Sequence, residues 1–98
     1  MTDYKFTWDQ RKNLSNHRKH GIYFKEAATV FYDENGIEYY DPDHSENEDR
    51  FLMVGISRNL RVLVVSYCYR ETETTIRIIS SRKADDQEIR NYFRGGKL

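Results

Sequence analysis

Arg61 to Ala84, RVLVVSYCYRETETTIRIISSRKA, decides how the rest of the chain is read. Residues Arg61–Arg70 and Thr74–Arg82 are rich in Val, Ile, Tyr and Thr, which suit a pleated surface, and Glu71-Thr72-Glu73 is a polar break of hairpin length. Two adjacent antiparallel strands are expected. Arg61, Arg70, Arg77 and Arg82 fall in or at the ends of these strands. Arginine stays charged at ordinary pH and its planar fork matches phosphate, so several on a rigid sheet make an anion-binding surface. Strand parity limits which of them meet. Residues 62, 64, 66, 68 and 70 share a face of the first strand, and 76, 78, 80 and 82 share one of the second. Arg77 then lies opposite Arg82. Arg70 joins one or the other according to hairpin register, and both only if a β-bulge intervenes.

Working toward the N-terminus, Arg58-Asn59-Leu60 is a tight return from a strand over about Arg50–Arg58, and Ile37–Asp41 is a further strand ended by Asp41-Pro42-Asp43. These short connections predict an antiparallel meander of about four strands. Arg50, at the far end of its strand from the Arg58 turn, returns beside Arg70. The expected cluster is therefore Arg50, Arg70 and one of Arg77 or Arg82. The competing reading of each is a solvated charge paired with Glu71, Glu73 or the acidic loop.

Two helices precede the meander. Asp9 is a suitable N-cap for a helix to about His20, with Gly21 as its stop, and Lys5–Trp8 is a short extended lead-in. This first helix is unusually polar, with Leu14 its only strong apolar residue, so the flanking Trp8 and Ile22, or a partner, must hold it. Phe24, Ala27, Ala28 and Phe31 form one apolar face of a second helix, whose start at Tyr23 lacks a capping side chain. A last helix begins at Asp85, with Glu88 in the capping-box position, and buries Ile89 with Tyr92 or Phe93. The fold class is α+β. Residues 1–94 read as one domain and 95–98 as a flexible tail.

Fourteen aromatics and several Ile/Val runs supply enough bulk for a modest core. The longest apolar runs fall far short of the roughly 20 residues that cross a bilayer, and no signal-peptide core precedes the domain, so a cytoplasmic address without membrane contact is expected. Cys68, alone in the sequence, agrees with a reducing compartment. The net charge is zero but unevenly spread: Asp33–Asp49 holds eight acidic residues and no Lys or Arg, between two basic flanks. A Gly-rich phosphate loop, a G-x-S-x-G elbow and an HExxH pair are absent, and His17, His20 and His44 lack a companion ligand motif. No metal or cofactor is expected.

As a set, the residues resemble the BrnT family of type II toxins, small ribonucleases of RelE-like fold. The resemblance runs through Phe6, Trp8-Asp9, Lys12, Asn16, Lys19-His20-Gly21, Phe24 and Glu26-Ala27. It continues through Asp33, His44, Glu48, Arg50, Gly55 and Ser57, and ends with Arg61, Val65, Tyr67, Arg70, Ile76–Ala84, Glu88 and Tyr92. Departures are few: Leu60 stands where a turn glycine is usual, Gln10 where a proline is, and Tyr23 where a serine is.

The resemblance implies a metal-independent endoribonuclease held inactive by a BrnA-like antitoxin with a ribbon-helix-helix DNA-binding part, operator DNA being reached only through that antitoxin. Such cleavage needs a base for the ribose 2′-hydroxyl, cations for the phosphorane and an acid for the 5′-oxygen. Arg50, Arg70, Arg77 and Arg82 fit the second role. His20 or Glu48 is the candidate base, and His20 or Lys83 the candidate acid. A non-catalytic protein- or RNA-binding module is the alternative. The polar first helix and the acidic segment are candidate antitoxin contacts.

Overall fold

The structure, a computed structural model, describes residues 3–96. The stretch 61–84 forms the two longest strands, β4 (Val62–Arg70) and β5 (Thr72–Lys83), which pair antiparallel. β3 (Phe51–Ile56) and β2 (Ile37–Tyr40) continue the meander. The lead-in is itself a strand, β1 (Lys5–Thr7), and pairs in parallel with β5. The sheet is therefore five-stranded and mixed, in the order β1-β5-β4-β3-β2, rather than an antiparallel meander of about four. Three residues carry no periodic signal. Their place is fixed by Phe6, which pairs with Ile76 and packs on Phe31, with ring centroids 5.4 Å apart.

The hairpin between β4 and β5 is tighter than the sequence predicts. Glu71 alone turns the chain, at φ 59°, and Thr72 already belongs to β5. At the other end of β4 the return from β3 places Leu60 at φ 61°, where glycine carries no steric penalty. Leu60 is also 86% exposed, so its side chain contributes little packing. Leu60→Gly is expected to stabilise the fold by about 1 kcal/mol, read as a raised midpoint in urea unfolding.

Two groups of helices flank the sheet. On one face lie α1 (Gln10–His20), a single turn α2 (Phe24–Ala27) and a 3-10 segment (Ala28–Tyr32), where one continuous second helix is expected from the sequence. Phe24, Ala27, Ala28 and Phe31 are buried as expected, against Leu63, Val65, Tyr67, Ile76 and Ile78. Gly55 stands where Val30 crosses the sheet, and a Cβ there would meet the Val30 carbonyl at 3.2 Å. On the other face α3 (Asp86–Phe93), started by the Asp85/Glu88 capping box, buries Tyr92 against Val54 and Val64 while Phe93 stays exposed. Gly96 closes α3 by donating its N–H to the Asn91 carbonyl, and the remainder of the 95–98 tail, residues 97 and 98, lies outside the described residues.

The polarity of α1 has a structural cause. The helix is bounded by Asp9 and by Gly21 at φ 72°, but the side it buries carries asparagines, and Leu14 is half exposed. β1 covers β5 only over Thr75–Arg77, and further along this edge Asn16 accepts the Ser81 N–H at 3.0 Å and donates to the Ser81 carbonyl at 2.9 Å. One amide thus satisfies a strand edge. Asn16 also donates to the Ile22 carbonyl, and Asn13 accepts the Phe24 N–H at 2.7 Å, supplying from α1 the contact that Tyr23 cannot make. Asn16→Ala strands buried partners on both sides. It is expected to cost about 3 kcal/mol, measurable as a lower denaturation midpoint.

Candidate active site

The face that carries α3 is covered only in part. Cross-strand partners share a face, and the partners Val54/Val64, Leu52/Ser66 and Cys68/Arg77 all lie on it. Its uncovered half holds the arginines. Simple parity separates Arg77 from Arg82, but Ser66 pairs with Ser80 and Tyr67 with Ile78, so Ile79 is an extra residue in β5. This bulge restores the alternation: Arg77 opposite Cys68, Ser80 opposite Ser66 and Arg82 opposite Val64 occupy one face. Arg70 follows Cys68 by two residues on that face, and Arg50 precedes Leu52 by two. The cluster therefore contains both Arg77 and Arg82 rather than one of them.

Carboxylates engage three of these guanidinium groups. Glu48 accepts from Arg70 Nη1 at 2.6 Å through Oε2 and from Arg50 Nε at 3.3 Å through Oε1. Beneath them the Cys68 thiol is buried, and burial together with the Glu48 charge pushes its pKa up, away from the reactive thiolate. At the other end Glu88, on α3, holds Arg82 in a two-pronged pair at 2.7 and 2.9 Å. Those bonds from Arg82 draw the Glu88 carboxyl below its ordinary value. Arg77 makes no salt bridge among the described residues.

His20, at the C-terminal end of α1, reaches round the β5 edge. It lines a cleft of about 90 Å³ with Leu52, Val64, Ser66, Ser80 and Arg82. Ser66 and Ser80 were not singled out by sequence reasoning. Their signal was their pairing, which the bulge hides. Lys83 does not join this group: its partner Leu63 belongs to the core under α1 and α2, so alternation directs Lys83 to the opposite face from Arg82. Arg61 is likewise elsewhere. It donates to Glu26 at 2.8 Å from Nε and 2.5 Å from Nη2, and Ser57 donates to the same carboxylate at 2.6 Å.

The geometry is that of a small α+β domain with a row of guanidinium groups on one face of its sheet and a histidine and two hydroxyls at one end of that row. A family model described as "Ribonuclease toxin, BrnT, of type II toxin-antitoxin system" matches residues 8–88. The chain belongs to this BrnT family of type II toxin-antitoxin ribonuclease toxins, which also implies an antitoxin partner. The crystal structure of the Brucella abortus ribonuclease toxin BrnT has a similar fold, with a TM-score of 0.60 and 22% identity over 85% of this chain and 99% of that one. No curated protein sequence matches the chain significantly. No helix among the described residues is long and apolar enough to cross a membrane.

Proposed function

We propose that this chain cleaves RNA without a metal, on the uncovered half of the α3 face, and that a BrnA-like ribbon-helix-helix antitoxin neutralises it and carries it to operator DNA. The observation that carries the reading is the bulge at Ile79, which brings Arg77 and Arg82 onto the face of Arg50 and Arg70. From Val64 to Arg70 the row extends over about 20 Å at 3.3 Å per residue, longer than one phosphodiester needs and suited to a single-stranded backbone.

Cleavage then proceeds by attack of the ribose 2′-oxygen on phosphorus as the bond to the 5′-oxygen breaks, leaving a 2′,3′-cyclic phosphate and a free 5′-hydroxyl. Arg82 and Arg77 stabilise the charge that builds on the phosphorane oxygens. His20 is the group best sited to move the proton, because it shares the cleft of Arg82, Ser66 and Ser80. Both oxygens of Glu48 are taken by Arg50 and Arg70, so it acts as a base only after releasing one of them. We assign Glu48 to orienting those two arginines.

Purified protein incubated with labelled RNA in excess EDTA tests this reading. Fragments ending in 2′,3′-cyclic phosphate are expected. A requirement for a divalent cation, fragments with 5′-phosphates, or no cleavage by well-folded protein at high concentration overturns it, the last in favour of a binding module.

A further inference from the structure

The face that carries α1 and α2 is also incompletely covered, at the end nearest the β4–β5 hairpin. There a cleft of about 840 Å³ opens between Tyr4 and the sheet. Its floor is aromatic, with Phe51 and Tyr69 edge to face at a centroid separation of 5.2 Å. Its rim carries Glu38, Glu71 and Glu73, and among the described residues no Lys, Arg or His lines it. Glu38 is held in place: the hydroxyls of Tyr67 and Tyr69 both donate to its Oε2, the latter at 2.5 Å. Burial and the Glu38 carboxylate push the Tyr69 hydroxyl up to about 12, so it remains a donor. A fixed carboxylate beside aromatic faces is the chemistry that receives a guanidinium or ammonium group, through charge-assisted hydrogen bonds and cation–π contact. The same carboxylates repel RNA, so this cleft is distinct in ligand from the arginine face.

We infer that this cleft anchors an arginine- or lysine-bearing segment of the antitoxin. The inference rests on the toxin reading for the identity of the partner, and on charge complementarity for the place. The acidic stretch Asp33–Asp49 was an expected antitoxin contact. The structure narrows that expectation, because of its carboxylates only Glu38 lines the cleft, joined by Glu71 and Glu73 from the hairpin.

The test is calorimetric titration of purified toxin with the antitoxin from its own operon, at low and moderate salt, for wild type, for Glu38→Gln/Glu71→Gln/Glu73→Gln, and for Asp41→Asn/Asp43→Asn as a control outside the cleft. The triple variant is expected to bind at least tenfold more weakly, with a shallower salt dependence, while the control stays within twofold. RNA cleavage by the free triple variant is expected to match wild type, and more antitoxin is needed to suppress it. Independently of any variant, the ring resonances of Phe51 and Tyr69 in wild-type toxin should shift when antitoxin is added. Unchanged affinity in a folded triple variant, an equal loss in the control, still ring resonances, or self-association of the toxin through this cleft overturns the inference. If wild type cleaves no RNA yet the triple variant still loses antitoxin affinity, the nuclease reading fails and the docking site stands.

Discussion

Arg82→Ala is expected to slow RNA cleavage by about a hundredfold or more, because one donor to a developing oxyanion contributes roughly 3–4 kcal/mol in the transition state. Arg70→Ala, which loosens the hold on the RNA strand at the far end of the row, is expected to slow it by about tenfold. The effect should appear in single-turnover cleavage of a labelled RNA at saturating protein. It should also appear in cells, as relief of growth arrest with each variant accumulating to wild-type levels. The two substitutions differ in what they leave behind. Removing Arg82 leaves Glu88 facing the cleft of His20, whereas removing Arg70 leaves Glu48 with Arg50 alone. Arg58→Ala, an exposed turn position remote from the row, serves as the control and should stay within twofold. Near-wild-type rates from both Arg70→Ala and Arg82→Ala would remove the catalytic site from this face.

A loss of stability as large as that of Asn16→Ala is expected from Arg61→Leu. Glu26 is almost wholly buried, and its carboxylate is held by Arg61 on two oxygens and by Ser57. Removing one member of such a pair costs about 3 kcal/mol. At about 4–8 °C per kcal/mol for a domain of this size, that lowers Tm by roughly 12–24 °C. The dependence on pH identifies the cause. The hydrogen bonds from Arg61, which outweigh burial, hold the Glu26 carboxyl below its ordinary 4.5. Wild type therefore keeps this contribution above pH 4.5 and loses it as the pH falls through the lowered folded value. In Arg61→Leu, burial dominates and raises the carboxyl instead, so the variant loses stability as the pH rises. Guanidinium unfolding at pH 4 and pH 7 should show the larger deficit at pH 7. Equal deficits at the two values would mean that lost packing, not the stranded carboxylate, is responsible.

What the sequence made legible was local. Asp9 and Gly21 bracket α1, and Asp85 with Glu88 starts α3, because caps act between near neighbours and declare themselves by residue type. The β2–β5 hairpins were legible for the same reason. Three features were not. The pairing of β1 with β5 depends on contacts some seventy residues apart. Asn13 and Asn16 resemble surface residues until the partners Phe24 and Ser81 are brought to them. The bulge at Ile79 carries no glycine to mark it, so parity alone set Arg77 against Arg82 and hid the alignment of Ser66 with Ser80. Lys83 shows the converse: the resemblance offered it as a candidate acid, and alternation places it on the opposite face from Arg82.

The distance between β1 and β5 has a bearing on synthesis. Phe6 finds Ile76, and Asn16 finds Ser81, only after most of the chain has been made, since the partners lie 70 and 65 residues away. Contacts of that span close late and slowly. A nascent chain that has not yet released β5 lacks both the edge on which α1 rests and half of the arginine row. The proposed site is therefore unassembled until β5 is released. A chain broken off before residue 77 lacks Arg77, Arg82 and the part of β5 on which α1 rests.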